Sequence, residues 1–229
     1  FTPNSTPENK KNQIKIFGSE LHLIDGPREN STVAVKEFTK STGINYLSHN
    51  YNPFFIEGMK SFGNEVFNEF HDDITDIIIP VGNGSLLIGA VKAYEELIKS
   101  KKISKMPKMH CVQVEGFSPI VNKFNSINWK FNEFSKTLAG GIAVSNPPRL
   151  NQVIESIRTS NGKAIEVSEA KILNCHKKLA SWGFLSEITC AAALAGTEKL
   201  IEEGVINEKS NIVIPVTGSG LKDLDKVNF

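Results

Sequence analysis

The chain has 229 residues, of which 40% are hydrophobic and 22% are charged, so a buried core is feasible and a wholly disordered chain is excluded. Lys+Arg 26 and Asp+Glu 25 leave a formal net charge of +1, which lacks the basic surplus typical of nucleic-acid-binding domains. No apolar run comes near the roughly 18 residues that span a bilayer, and the amino terminus shows no secretory signal. We therefore expect neither a nucleic-acid nor a membrane partner.

The first seventy residues predict short elements in alternation. A helix begins at Pro7 and stops before Gly18, and a strand follows over residues 20–25. A weaker amphipathic helix covers residues 30–42, and a short strand covers 45–48. Residues 54–70 predict a longer helix, with one apolar stripe formed by Phe55, Met59, Phe62, Val66 and Phe70.

The strongest local pattern is the β-branched run ITDIIIPV at residues 74–81, typical of a strand buried on both faces of a parallel sheet. A glycine turn and a predicted helix over 85–100 follow, and a predicted strand over 108–116 completes a βαβ unit. Beyond it we predict further elements in the same alternation: a helix from Pro148, a strand over 163–167, helices over 168–182 and 187–203, and a strand over 211–216. This order predicts an α/β fold with a mainly parallel twisted sheet flanked by helices.

The turn after the strand at 74–81 is the first candidate site. Gly82-Asn83-Gly84-Ser85 lies where a strand feeds a helix, and such a turn presents backbone N–H groups and the positive end of the helix dipole to an anion. Ser85 can cap the helix or bind a phosphate oxygen. The alternative is a tight turn that binds nothing.

The residues around this turn restrict the class of ligand that it could bind. Leu87 replaces the third glycine of a dinucleotide motif, and Glu115 lies further along than a ribose-binding carboxylate should. No Gly-Lys-Ser/Thr follows, which excludes a P-loop. A phosphomonoester fits the turn better.

Several segments, taken together and in order, resemble the fold-type II pyridoxal-phosphate enzymes, and among them the threonine synthases most. They are FTPNSTPENKKNQIKIFGSELHLIDG, NPFFIEGMKSFGNEV, IIIPVGNGSLLIGAVKAYEEL, VEGFSPIV, AGGIAVSNPPR, GFLSEITCAAALAG and VIPVTGSGLKD. The resemblance implies a fold like that of the tryptophan synthase β subunit, incomplete in this chain. It also implies that residues 1–48 are a remnant of a smaller α/β domain and that 49–229 form the larger cofactor-binding domain.

The resemblance further implies the cofactor and its contacts. Pyridoxal 5′-phosphate would have its phosphate held by Gly82, Asn83, Gly84, Ser85 and Leu86. Thr217 would face the pyridine nitrogen of the cofactor, where a neutral hydroxyl suits elimination and replacement at the β and γ carbons of the substrate. The alternative is that Thr217 has no role at the cofactor and caps its own turn. The implied substrate is a small amino acid such as O-phosphohomoserine, converted to threonine, and the complete protein is expected to be a cytoplasmic homodimer.

Two departures from the family pattern qualify these expectations. In the family, the lysine that forms the bond to the cofactor lies before the first matching segment, and Lys60 and Lys92 belong to other motifs. We therefore assign no catalytic residue. We expect this chain to be part of a longer enzyme and to be inactive by itself. Phe55 also stands where threonine synthases usually carry an arginine for the substrate phosphate, and a phenyl ring cannot donate to phosphate. A threonine dehydratase-like lyase, and a non-catalytic scaffold or phosphate-binding subunit, therefore remain alternatives.

The remaining candidates have ordinary structural interpretations. Glu187 either complements a helix dipole or lies near the cofactor ring, and Cys190 is expected to be a small buried side chain. The cysteines (Cys111, Cys175, Cys190) form no Cys-x-x-Cys pair and are expected to be reduced thiols. The five histidines are too scattered for a metal site, so we expect no metal.

Overall fold

The structure is a computed structural model that describes residues 1–224, and it divides into two compact units, one of residues 1–52 and one that begins at Pro53. The division falls four residues beyond the predicted boundary at 48/49. Within the described residues, no helix is both long and apolar enough to cross a bilayer.

The first unit pairs two short parallel strands and adds two helices: β1 Thr2–Pro3, α1 Glu8–Ile16, β2 Leu23–Ile24 and α2 Arg28–Thr42. Both predicted helices are present, and α2 ends at Gly43 in the left-handed conformation at φ 73°. The predicted strand at 45–48 is wrong: these residues have no regular secondary structure and pair with no described strand. An extended segment becomes a strand only by pairing with another.

The second unit contains a four-stranded parallel sheet with helices on both faces. Its elements are α3 Pro53–Phe70, β3 Asp76–Pro80, α4 Ser85–Lys99, β4 Lys108–Val114, α5 Pro119–Phe124, α6 Leu150–Thr159, β5 Ala164–Val167, α7 Glu169–Ser181, α8 Ile188–Glu202, β6 Ile212–Val213 and a 3₁₀ turn Gly220–Lys222. The strand order is β5-β4-β3-β6, and every pairing is parallel. The predicted fold class is confirmed.

The burial of the central strand β3 on both faces accounts for its continuous apolar sequence. All five of its residues are buried, with Ile78 in the core on the α7–α8 face and Ile77 and Ile79 in the core on the α3–α4 face. A strand covered on both faces has no solvent side, so the run does not alternate with polar residues.

Helices α3 and α4 pack closely because glycines remove side chains from their contact. A Cβ on Gly63 would lie 2.8 Å from the Ala93 Cβ, and one on Gly89 would overlap Met59. The predicted α3 stripe is correct at its centre, where Val66 is buried, but Phe55 and Phe70 at its ends are exposed. Gly63, which was not part of the predicted stripe, lies in this close contact.

Candidate functional site

The carboxyl edge of the sheet carries the predicted phosphate turn. Strand β3 ends at Pro80, and α4 begins at Ser85 after Gly84, which is left-handed at φ 85°. Because α4 begins at Ser85, its N-cap is Gly84, and no side-chain hydrogen bond caps the helix start. Ser85 is thus left as a candidate phosphate ligand.

The backbone of this turn offers several N–H donors. The first α4 residue whose N–H donates to a carbonyl is Ile88, to Gly84 O at 3.0 Å. In the part of the chain that the structure describes, the N–H groups of residues 83–87 have no protein acceptor. Gly82 and Gly84 are buried, whereas Asn83, Ser85 and Leu86 are half-buried and retain solvent access. Unpaired donors at the positive end of a helix dipole form a site suited to an anion.

The two glycines are required by packing as well. A Cβ on Gly82 would lie 2.7 Å from the carbonyl oxygen of Gly141, and one on Gly84 would overlap the Val153 side chain of α6. These contacts hold the turn against the segment 139–144 and against α6. The glycines therefore determine the shape of the turn, and its unpaired N–H groups make it suited to an anion.

Close packing and separate hydrogen bonds connect this turn with Thr217, through Gly141 and the first residues of α8. The Gly141 N–H donates to Thr189 Oγ1 at 3.1 Å, in the first turn of α8. At the N-cap of α8, the Glu187 N–H donates to the Gly218 carbonyl at 2.9 Å. The Thr217 hydroxyl donates to Glu187 Oε1 at 2.8 Å.

Strand pairing explains why these segments meet. β3 and β6 are parallel neighbours with Asp76 opposite Ile212, so the residues that follow each strand emerge at the same edge of the sheet. Sequence reasoning identified Thr217 and Glu187 separately and missed the bond between them. It also missed Thr189, whose only sequence signal was its place in the EITC segment.

Lys60 and Lys92 lie outside this site, in an ion-pair cluster between α3 and α4. The Lys60 Nζ is 2.7 Å from Glu57 and 2.8 Å from Glu96, and Lys92 also pairs with Glu57. Hydrogen bonds from Lys60 and then Lys92 lower the pKa of Glu57 to about 2, and the bond to Glu57 raises the pKa of Lys60. An ammonium held this way is a poor nucleophile, which agrees with their interpretation as helix-surface lysines.

An open parallel α/β sheet, with a turn suited to an anion at its carboxyl edge, is typical of proteins that bind phosphate-bearing cofactors. The sequence profile of the pyridoxal-phosphate dependent enzymes matches residues 1–218, and the chain belongs to that family. Its cofactor is pyridoxal 5′-phosphate, and the unpaired N–H groups of residues 83–87 fit the phosphate of that group.

Individual relatives agree with this assignment. The chain is 32% identical over 220 residues to threonine synthase of Methanocaldococcus jannaschii, which covers 93% of this chain and 53% of the relative. It is 31% identical over 214 residues to threonine synthase of Bacillus sp. strain ULM1, covering 93% and 58%. The chain thus spans little more than half the length of these relatives.

Solved structures share the fold. Maize serine racemase superposes with a TM-score of 0.80 at 18% identity, over 95% of this chain and 64% of that one. The processed form of threonine deaminase isoform 2 from Solanum lycopersicum gives 0.78 at 22% identity, over 95% and 61%. Proteins of several activities therefore share this backbone, so the reaction cannot be deduced from the fold.

Proposed function

We propose that the turn at Gly82, Asn83, Gly84, Ser85 and Leu86 holds the phosphate of pyridoxal 5′-phosphate in an enzyme of the threonine synthase type. In this proposal, residues 1–52 are part of a smaller domain, and the unit that begins at Pro53 is the larger, cofactor-binding domain. The observation that carries it is the row of unpaired N–H groups at the start of α4, combined with about 30% identity to threonine synthases.

Thr217 and Glu187 form the second contact. Because the Thr217 hydroxyl donates its proton to Glu187, its remaining lone pairs are free to accept a hydrogen bond. This differs from the neutral hydroxyl alone that the sequence led us to expect: a hydroxyl that accepts, with a carboxylate behind it, suits a protonated ring nitrogen better than an isolated hydroxyl does. When bound, the cofactor supplies the electron withdrawal that labilises bonds at the α-carbon of an amino acid.

The type of reaction belongs to the complete protein. Identity to threonine synthases favours elimination and replacement on a phosphorylated amino acid, with threonine as product. A homodimer of the complete protein and a cytoplasmic location are parts of the same proposal.

Phe55 favours a second candidate, a lyase acting on an unphosphorylated hydroxy amino acid. Phe55 stands two residues after Pro53, where threonine synthases usually carry an arginine, and its phenyl side chain offers no hydrogen-bond donor to a second phosphate.

The cofactor proposal is tested by comparing two ligands that differ only in the phosphate. Absorbance titrations of the protein with pyridoxal 5′-phosphate and with pyridoxal should show saturable binding of the first and at least tenfold weaker binding of the second. Replacing Thr217 with Val should shift the absorbance spectrum of the bound cofactor and should leave the affinity that comes from the phosphate turn largely unchanged. Equal affinity for the two ligands would refute the phosphate turn.

The reaction is tested on the complete protein with O-phosphohomoserine and with L-threonine. Release of inorganic phosphate from the first supports a threonine synthase. Formation of a 2-oxo acid from the second supports the lyase. Cofactor binding without turnover of either substrate would support the non-catalytic scaffold.

A further inference from the structure

A cavity of about 220 Å³ lies at the amino end of β3 and β4, the edge of the sheet opposite to the phosphate turn. Ile74 and Thr75 enter it from the segment before β3, Pro107 and Lys108 from the start of β4, and Tyr94 from α4. Nothing in the proposed cofactor chemistry uses this edge.

Tyr94 is the buried polar group of the cavity. Its side chain is 2% exposed, and its hydroxyl has no hydrogen-bond partner within residues 1–224. Burial raises the pKa of Tyr94 to about 12, so the phenol remains protonated and can donate. The Thr75 hydroxyl already has a hydrogen-bond acceptor, because it donates to Asp76 Oδ2 at 2.6 Å. Buried hydroxyls in folded proteins almost always have partners, so the Tyr94 hydroxyl calls for one inside the cavity.

The charge around the cavity favours an anion. The stretch from the last residue of α4 to the first residue of β4, residues 99–108, contains five lysines and no acidic residue. Two of these lysines, Lys105 and Lys108, line the cavity together with the carboxylate-bearing residue Asp72. Lys108 is only loosely paired, 4.0 Å from Asp76 Oδ1.

Size and apolar walls define the rest of the ligand. Ile74, Ile103 and Met106 line the cavity and pack against the core of the α3–α4 face. A water molecule occupies about 30 Å³ in the liquid, so the cavity is several times larger than one water needs. It is smaller than the ~300 Å³ at which pockets for drug-sized ligands begin.

We propose that this cavity binds a small aliphatic carboxylate, whose oxygens accept from the Tyr94 hydroxyl and pair with Lys105 and Lys108 while its alkyl group contacts the isoleucines. Aliphatic amino acids and 2-oxo acids share this chemistry. An amino acid would in addition place its ammonium group near Asp72. The site is independent of the cofactor proposal, since it lies at the other edge of the sheet.

The test measures binding of isobutyrate, L-valine and 3-methyl-2-oxobutanoate to the protein by saturation-transfer NMR. Isobutyrate should bind saturably, and Tyr94→Phe and Lys105→Gln should each weaken it about tenfold or more, as expected for a lost hydrogen bond to a charged group. Lys102→Gln is the matched control, because it removes the same charge from the same segment at a residue that does not line the cavity. Its affinity should equal that of the unchanged protein.

The relative affinities of the three ligands identify the chemical class of the natural ligand. Tighter binding of L-valine than of isobutyrate, lost in Asp72→Asn, identifies an amino acid, and tighter binding of the oxo acid identifies a 2-oxo acid. Absence of saturable binding at tens of millimolar of all three would overturn the proposal and leave a water-filled cavity. Binding that Tyr94→Phe and Lys105→Gln do not weaken would overturn it as well.

Discussion

Replacing Gly84 with Ala tests whether the phosphate turn is held as tightly as its packing indicates. Two effects add at this residue. A non-glycine residue in the left-handed conformation costs roughly 1–2 kcal/mol, and Gly84 has φ 85°. The new Cβ would also overlap the Val153 side chain, and over-packing of this kind costs roughly 1–3 kcal/mol. We therefore expect Gly84→Ala to lower the free energy of unfolding by about 2–5 kcal/mol.

Two other glycines separate these effects. Gly183 has φ 89°, but a Cβ added to it would have no atom within 4 Å, so Gly183→Ala carries only the backbone strain. A Cβ on Gly140 would also have no atom within 4 Å, and the φ of Gly140 is not in the left-handed region, so Gly140→Ala should change stability by less than about 0.5 kcal/mol. Urea unfolding, followed by circular dichroism, should rank the losses Gly84 > Gly183 > Gly140.

The same variants report on ligand binding. Gly84→Ala moves the N–H groups at the start of α4 and should reduce the preference for pyridoxal 5′-phosphate over pyridoxal, whereas Gly183→Ala should preserve it. Equal stability of Gly84→Ala and Gly183→Ala would refute the packing argument, and an unchanged preference in Gly84→Ala would refute the assigned role of the turn.

Three further predictions concern buried groups. Asp76 is buried beside His110 Nε2 at 2.8 Å; burial alone would raise its pKa, but the hydrogen bonds from His110 and Thr75 hold the pKa below its ordinary value. The Asp76 carboxylate therefore stabilises the folded protein fully above about pH 3.9, and this contribution is lost as the pH falls through the lower pKa of the folded state. The difference in unfolding free energy between the unchanged protein and Asp76→Asn should shrink over that acidic range. Tyr94→Phe removes an unpaired buried hydroxyl and should leave the ligand-free protein as stable or more stable, by up to about 1 kcal/mol in thermal unfolding. Burial raises the pKa of all three thiols, so a thiol reagent at pH 8 should label them slowly in the folded protein and quickly in urea. They are Cys111, Cys175 and Cys190.

Each of the three has a contradicting result. A stability difference from Asp76→Asn that stays constant down to pH 2 would show that Asp76 titrates normally. A loss of more than about 1 kcal/mol in Tyr94→Phe would show that the hydroxyl has a partner in the folded protein. Fast labelling of any cysteine in the folded protein would show that its thiol is accessible.

The sequence by itself determined the order and type of the long elements. The run at 74–81 predicted a doubly covered strand because β-branched residues without polar alternation suit no other place in an α/β fold, and β3 is that strand. The helix that follows the glycine turn was equally clear, since its amphipathic period and its start are local properties. Family membership also came from the sequence, through the order of motifs along the chain.

Contacts between distant segments were decided only in the tertiary structure. Within residues 1–224, the predicted strand at 211–216 is a strand only at Ile212–Val213, because a strand extends only as far as its backbone pairs with a neighbour, here β3. The Thr217–Glu187 bond joins residues 30 apart and exists because β6 and the start of α8 meet at one edge. The unpaired Tyr94 hydroxyl has no sequence signature, since Tyr94 is an ordinary residue of an amphipathic helix until folding buries it in the core beside the segments that precede β3 and β4. Local pattern determines which element forms, whereas burial and partners depend on residues that only folding brings together.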